Sequence, residues 1–132
     1  MADAHPAKPF AEGQMITMFR SRRRHGIEAT YHDVAEAMQA AARTVPGFVD
    51  FKTFTAEDGE QVSLVTFASL ESHQVWRNDQ RHRRAQEQGR EQFYDEYSIQ
   101  VGECTHVSRW SHDRADSTGP AASHLPDATA NG

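Results

Sequence analysis

The chain has 132 residues, a formal net charge of −5 and one cysteine. A chain of this length makes one domain, and the mildly acidic balance argues against nucleic acid as a partner, despite the basic run at 20–24. A lone Cys104 excludes an internal disulfide, and no apolar run reaches the roughly 20 residues that cross a membrane. With no apolar leader segment near Met1, we expect a cytoplasmic protein without a membrane partner.

The two ends of the chain differ in composition from its middle. Residues 1–13 are rich in Ala and Pro, and residues 111–132 are small and polar. Neither segment buries enough apolar surface to offset an ordering entropy of roughly 1–2 kcal/mol per residue. We therefore predict two disordered tails around one domain that spans residues 14–110.

The first half of the domain predicts a strand followed by a helix. Residues 15–22 are β-prone and follow a glycine. Thr30, with Asp33 three residues later, has the spacing of a helix N-cap, and Pro46-Gly47 is a stop signal. The apolar residues between them recur at helical spacing: Tyr31, Val34, Met38, Ala41 and Val45.

The second half predicts a hairpin, two helical segments and a last strand. Residues 48–55 and 61–68 are predicted strands, and the Asp58-Gly59 turn signal between them indicates a hairpin. Ser69 is placed to cap a short helix that carries Trp76, and Asp79 to cap a longer helix to about residue 94. The alternating residues of the last strand are Tyr97, Ile99 and Val101.

The order β-α-β-β-α-β predicts an α+β, ferredoxin-like unit: an antiparallel sheet with its helices on one face. Both parities of the strands are partly apolar, because Ile16 and Met18 alternate with Met15 and Phe19. A sheet with one face in water shows polar residues on one parity. We therefore predict a homodimer through the sheet face, in which a second copy covers the side that the helices leave open.

An ordered set of short motifs resembles the antibiotic biosynthesis monooxygenase (ABM) family. The set comprises FRSR at 19–22, VPGF at 45–48, DG at 58–59 and the run 76–97, and it covers nearly all of residues 14–110. The resemblance implies a dimeric α/β barrel, with a pocket between the sheet and the helices of each subunit. It also implies either cofactor-free oxidation of an aromatic polyketide or quinol, or haem degradation.

A cofactor-free oxygenase needs a base, hydrogen-bond donors for an anion, and aromatic walls. His82 is the predicted base, because it shares a helical stripe with Ala85, Gly89 and Phe93 and histidine titrates near neutrality. The alternative is a histidine held by a backbone carbonyl at the core edge. Arg20 is the predicted anion stabiliser, and its alternative is a charge at the surface or the dimer interface.

Four aromatic side chains are predicted to bind a small aromatic substrate. Trp76 lies where the family pattern places a pocket aromatic, and its alternative is core packing. Tyr94 and Tyr97 can donate hydroxyl groups or extend them from the core to solvent, and Phe67 is either pocket wall or core.

The haem alternative lacks its two expected ligation signals. Haem-degrading relatives carry an asparagine on the first strand and a helical histidine about ten residues after the tryptophan. Here the strand reads MFRS and Gln86 stands ten residues after Trp76. The eight histidines show no HxxxH or HxH pair, and no Gly-rich phosphate loop is present, so we predict neither a metal nor a cofactor.

The sequence therefore predicts a cofactor-independent monooxygenase that oxidises a small aromatic, polyketide or quinol substrate. The first alternative is a non-catalytic dimeric barrel that binds a small ligand or has a structural role. Haem binding or degradation is the second alternative.

Overall fold

The computed structural model describes residues 9–112, which form four strands, three α-helices and one π-helical turn. In chain order they are β1 (Met15–Arg23), α1 (Glu28–Arg43), β2 (Phe48–Thr55), β3 (Gln61–Phe67), α2 (Leu70–Arg77), α3 (Gln80–Gln88), the π turn (Gly89–Phe93) and β4 (Tyr94–Glu103). The strands form one antiparallel sheet in the order β2-β3-β1-β4. The predicted α+β architecture is confirmed. No helix within the described residues combines the length and apolar character needed to cross a membrane.

The register of β1 decides which side chains face the helices. Phe19 lies opposite Ser63 of β3 and Ile99 of β4, and its ring points towards α1. Successive side chains of a strand point to opposite faces, so Arg20 points away from the helices. The outward face of the sheet therefore carries Ile16, Met18, Arg20 and Arg22 from β1.

The predicted cap of α1 is wrong. The helix begins at Glu28, with Ile27 in the N-cap position and no capping side chain, so Thr30 lies within the first turn. Gly26, with φ of 81°, turns the chain out of β1 directly before the helix, and the Tyr31 amide donates to the Ile27 carbonyl at 2.8 Å. The turn at Gly26 therefore starts the helix two residues before Thr30, the predicted capping residue.

The two later caps are confirmed. Ser69 and Ser72 form a reciprocal capping box at the start of α2. At α3, the Asp79 carboxylate accepts a hydrogen bond from the Arg81 amide at 2.8 Å. Hydrogen bonds from the Arg81 side chain are the largest cause that lowers the pKa of Asp79, to about 2, so the cap stays charged.

The end predicted for the last helix is wrong. We expected one helix to about residue 94, but α3 ends at Gln88 and the chain continues through the π turn Gly89–Phe93. The turn ends at Phe93, which is fully buried, and β4 starts at Tyr94. This change of helical type determines which side chains enter the space under the helices.

The hydrophobic core lies between α1, α2 and the sheet. Phe67 is fully buried, and burial of such a side chain stabilises the fold by about 1.5–3 kcal/mol. Its ring lies 6.0 Å from that of Phe48 and 6.2 Å from that of Trp76, measured between centroids. The buried cluster consists of Ala41, Ala42, Val45, Val65, Phe67 and Trp76.

The segment before β1 is hydrogen-bonded to the segment after β4. The Gly13 amide donates to the Cys104 carbonyl at 2.8 Å, and Arg109 donates to the Phe10 carbonyl at 2.6 Å. Within the predicted N-terminal tail, Phe10 and Gly13 thus have hydrogen-bond partners in the segment that follows β4. The rest of that tail, residues 1–8, and residues 113–132 of the predicted C-terminal tail lie outside the described residues.

Candidate functional site

A cavity of about 110 Å³ lies between the sheet and the helices α1 and α3. Aromatic and aliphatic side chains form most of its wall, and the polar groups are few, as is usual for a small-molecule site. The larger side chains of the wall include Phe19, Tyr31, Met38, Phe51, Trp76, His82, Gln86, Phe93, Tyr94 and Tyr97.

One end of the cavity is formed by His82 of α3 and Trp76 of α2. The imidazole is stacked on the indole, with ring centroids 4.4 Å apart and planes inclined by 25°. His82 Nδ1 is shielded from solvent and has no hydrogen-bond partner among the described residues. His82 is therefore a residue of the cavity wall whose Nδ1 is itself closed to the cavity space.

Burial is the largest cause that lowers the pKa of His82 below its ordinary value. The Asp79 carboxylate and backbone hydrogen bonding at Arg77 and Trp76 raise the pKa, and nearby His73 lowers it further. The lowered pKa leaves the imidazole neutral at neutral pH, in the form that accepts a proton. The hydrogen bonding of His82 with the backbone of Arg77 and Trp76 also matches the alternative of a histidine held by a backbone carbonyl at the core edge.

A second buried imidazole lies on α2. His73 is 5% exposed and, like His82, has an unpaired Nδ1 among the described residues. Burial, followed by the charge of Arg77, lowers the pKa of His73. His73 is not part of the cavity wall.

The other end of the cavity is formed by tyrosines. The Tyr94 ring lies 5.3 Å from Phe19, 5.7 Å from Tyr97 and 6.0 Å from Tyr31, measured between centroids. Burial, followed by the interaction with Tyr31, raises the pKa of the Tyr94 hydroxyl well above its ordinary value. Tyr94 therefore keeps its proton at every physiological pH and acts as a neutral donor.

Tyr97 lies at the edge of the cavity, where its hydroxyl accepts a hydrogen bond from Arg90 Nη1 at 3.0 Å. Arg90 is exposed and belongs to the π turn. The contact connects that turn to β4 beside the cavity.

The structure does not bring Arg20 to the cavity. Its guanidinium lies on the outward face of the sheet, where Nε and Nη2 donate to the Glu60 carboxylate at 3.2 and 3.1 Å. Glu60 is the largest cause that raises the pKa of Arg20. The helices cover the face of the sheet that carries Phe19, and Arg20 lies on the opposite face. Arg20 therefore matches the alternative of a charge at the surface or the dimer interface.

Phe67 also lies apart from the cavity. It is fully buried behind Trp76 and contributes to the core rather than to the wall. Of the two alternatives for Phe67, pocket wall and core, the packing of Trp76 against its ring matches the core. Of the six predicted site residues, the structure brings four to one cavity: His82, Trp76, Tyr94 and Tyr97.

Several cavity residues were not predicted as site residues. Tyr31 and Met38 lie on the predicted stripe of α1, which indicated burial but not a cavity wall. Gln86 was considered only as a residue in the position of a haem-ligand histidine. Within residues 9–112, no group of three or more histidine, cysteine or acidic side chains is arranged to hold a metal ion. The polar side chains at the cavity are suited to proton transfer and hydrogen bonding.

Comparison with known proteins gives consistent results. The family model described as antibiotic biosynthesis monooxygenase matches residues 15–88. The protein YqjZ of Bacillus subtilis is 30% identical over 71 residues, which are 54% of this chain and 62% of YqjZ. This chain therefore spans less than two thirds of that relative.

Two solved structures show the same fold. Rv0793 from Mycobacterium tuberculosis has a TM-score of 0.62 at 16% identity, over 75% of this chain and 100% of its own. A variant of SnoaB, a cofactor-independent oxygenase from Streptomyces nogalater, has a TM-score of 0.58 at 14% identity. The match covers 75% of this chain and 96% of SnoaB. At these identities the similarity concerns the fold.

Proposed function

Because the chain belongs to the antibiotic biosynthesis monooxygenase family, we propose that it is a cofactor-independent monooxygenase of a small aromatic, polyketide or quinol substrate. The observation that carries the proposal is the His82 imidazole at the wall of an apolar cavity, stacked on Trp76. Fold alone does not specify activity, so the proposal depends on this site.

For a substrate with an activated CH₂ group, such as an anthrone, the proposed reaction converts that group and O₂ into a ketone and water. His82 takes one C–H proton, and the resulting carbanion, delocalised over the aromatic rings, is the electron donor. Addition of O₂ forms a C–O bond, and return of the proton gives a hydroperoxide. Loss of the second C–H proton then breaks the O–O bond and releases water. The substrate loses four electrons and O₂ gains four, so no other reductant is required.

The cavity suits this chemistry in two respects. Its aromatic wall favours a flat apolar substrate, which buries its rings against Trp76 and Phe51. Its hydroxyl groups, from Tyr94 and Tyr97, are donors for an oxygen that becomes negatively charged.

We propose a homodimer through the sheet face as the working unit. The outward face carries Ile16, Met18 and Leu64, which are only partly buried in the single chain. The ion pairs of Arg20 with Glu60 and of Arg22 with Asp58 lie on the same face. An apolar strip beside paired charges is suited to a second copy of itself.

A non-catalytic ligand-binding protein is the second candidate. Backbone hydrogen bonding at Arg77 and Trp76 partly satisfies the His82 ring, as in a structural histidine. The two candidates differ in oxygen consumption. The test is an oxygen-electrode assay of the full chain with a panel of anthrones and hydroquinones, together with Trp fluorescence titrations of the same compounds. Turnover supports the oxygenase, whereas saturable binding without oxygen consumption supports the binding protein.

A further inference from the structure

The glycine at the start of the π turn is not required by its backbone conformation. Gly89 has φ of −60° and ψ of −46°, which every L-residue adopts in a helix. It is also buried. A glycine in such a place is expected to allow a close approach of another group.

The group that approaches Gly89 is the ring of Tyr94. A Cβ atom at Gly89 would lie 2.6 Å from Cε2 and 2.9 Å from Cδ2 of that ring, far closer than van der Waals contact. The absent side chain thus creates the space that the ring occupies. The π turn makes this contact possible, because it separates Gly89 from Tyr94 by only five residues while β4 begins.

The Tyr94 ring has little freedom to move elsewhere. Phe19, Tyr97 and Tyr31 surround it with centroid distances of 5.3, 5.7 and 6.0 Å, and Phe93 lies at 6.4 Å. Close-packed aromatic neighbours allow small shifts only at a cost in free energy. The position of the Tyr94 hydroxyl is therefore determined by contact with Gly89 on one side and by these rings on the others.

The surroundings of the hydroxyl include a second tyrosine and, beyond it, a cation. Tyr94 interacts with the Tyr31 hydroxyl, and the guanidinium of Arg23 lies 4.3 Å from the centroid of the Tyr31 ring. Gly89 and His82 are seven residues apart on the same side of the helical segment, which is about 10 Å along its axis. The donor and the base consequently lie at different ends of the cavity.

We propose that Tyr94 donates a hydrogen bond to the anionic oxygen of a phenol or enol substrate, and that Gly89 is the positioning residue that sets this donor. The inference rests on the proposed function, because it assigns the group that stabilises the anion formed by His82. The substrate class that follows carries an ionisable ring oxygen remote from the carbon that loses its proton. Arg20, on the outward face, has no part in this site.

The test measures binding rather than turnover. para-Nitrophenol, titrated at a pH where it is ionised, reports phenolate binding by its absorbance, and nitrobenzene is the uncharged probe of similar shape. The measured quantity is the ratio of the two affinities in the full-length protein. The variants are Tyr94→Phe and Gly89→Ala. The control is Gly102→Ala, whose added Cβ meets no heavy atom within 4 Å.

A hydrogen bond to a charged group is expected to change the ratio about tenfold or more. Tyr94→Phe and Gly89→Ala should both lower the preference for phenolate by that factor, while Gly102→Ala keeps it. Tyr94→Phe adds no atoms, so it tests the donor even if Gly89→Ala does not fold. In that case the double variant Gly89→Ala/Tyr94→Leu tests the contact, because removal of the ring should restore folding.

The results separate this inference from the proposed function. A wild-type protein that prefers phenolate but consumes no oxygen contradicts the oxygenase and leaves the donor assignment intact. A Tyr94→Phe variant with the wild-type preference overturns the donor assignment, whatever the oxygen assay shows. A wild-type protein that does not prefer phenolate also overturns it, and Gly89→Ala with an unchanged preference overturns the positioning role.

Discussion

The imidazole of His82 lies against the indole of Trp76, with ring centroids 4.4 Å apart, although the two residues belong to different helices. On one continuous helix, residues six positions apart point in directions about 120° apart and cannot stack. The break at Asn78 and the new cap at Asp79 re-aim α3, so that the imidazole returns over the indole. The interruption between the helices is thus what forms this end of the cavity.

Replacement of His82 by alanine should lower oxygen consumption by about 10²–10⁴-fold, the usual contribution of a positioned base. The matched control is His32→Ala, which removes an exposed histidine paired with Glu36. Circular dichroism and sedimentation verify that both variants remain folded. Full turnover by His82→Ala would show that another group is the base.

The pH dependence of turnover should follow from the lowered pKa of His82. The base of a histidine with a lowered pKa forms at a lower pH than usual, so the acidic limb of kcat/KM should be centred below the ordinary histidine value of about 6.5. Rates are measured from acid to neutral pH with a substrate that does not titrate in the range. An acidic limb of the kcat/KM profile that is centred above the ordinary histidine pKa contradicts the assignment of His82 as the base.

The free energy of unfolding should decrease as the pH falls below the ordinary histidine pKa of about 6.5. The pKa values of His73 and His82 are lowered in the folded protein, so the unfolded chain binds more protons at acidic pH. Their contribution is therefore present above about pH 6.5 and is lost as the pH falls towards the folded-state values. Urea unfolding at several pH values checks this. His73→Leu should flatten the dependence.

Gly89→Ala should destabilise the protein, against the usual preference for alanine in a helix. Alanine is normally favoured over glycine by about 1 kcal/mol at a helical position, but overpacking costs about 1–3 kcal/mol. The contact with Tyr94 therefore reverses the sign. Urea unfolding of Gly89→Ala, Tyr94→Leu and the double variant forms a double-mutant cycle. Additive changes in the free energy of unfolding would show that the two residues do not interact.

The proposed dimer should dissociate when a charge enters the outward face of the sheet. Leu64→Glu places a carboxylate among Met18 and Ile16, whereas Val75→Glu places one at an exposed position of α2. Sedimentation at micromolar concentration should give twice the chain mass for the wild type and for Val75→Glu, and the monomer mass for Leu64→Glu. A folded wild-type monomer under these conditions contradicts the sheet-face dimer.

The local pattern determined much of the fold. Alternation predicted β2 with its observed bounds, Phe48–Thr55, and the capping chemistry of Ser69 and Asp79 predicted where α2 and α3 begin. These features depend on residues within one or two turns of one another, which is the range over which side chains compete for backbone hydrogen bonds. The stripe with His82 likewise placed an imidazole on the buried side of α3.

The tertiary structure decided the composition of the cavity. Alternation along β1 separates Phe19 from Arg20, but both parities are partly apolar, so only the packing of α1 and α3 determines that Phe19 faces the cavity and Arg20 faces outward. The π turn depends in the same way on packing, since Gly89 is required by the ring of Tyr94 and not by its own φ and ψ. Such contacts join groups whose fit depends on volume and direction, and a periodic pattern of apolar residues carries neither.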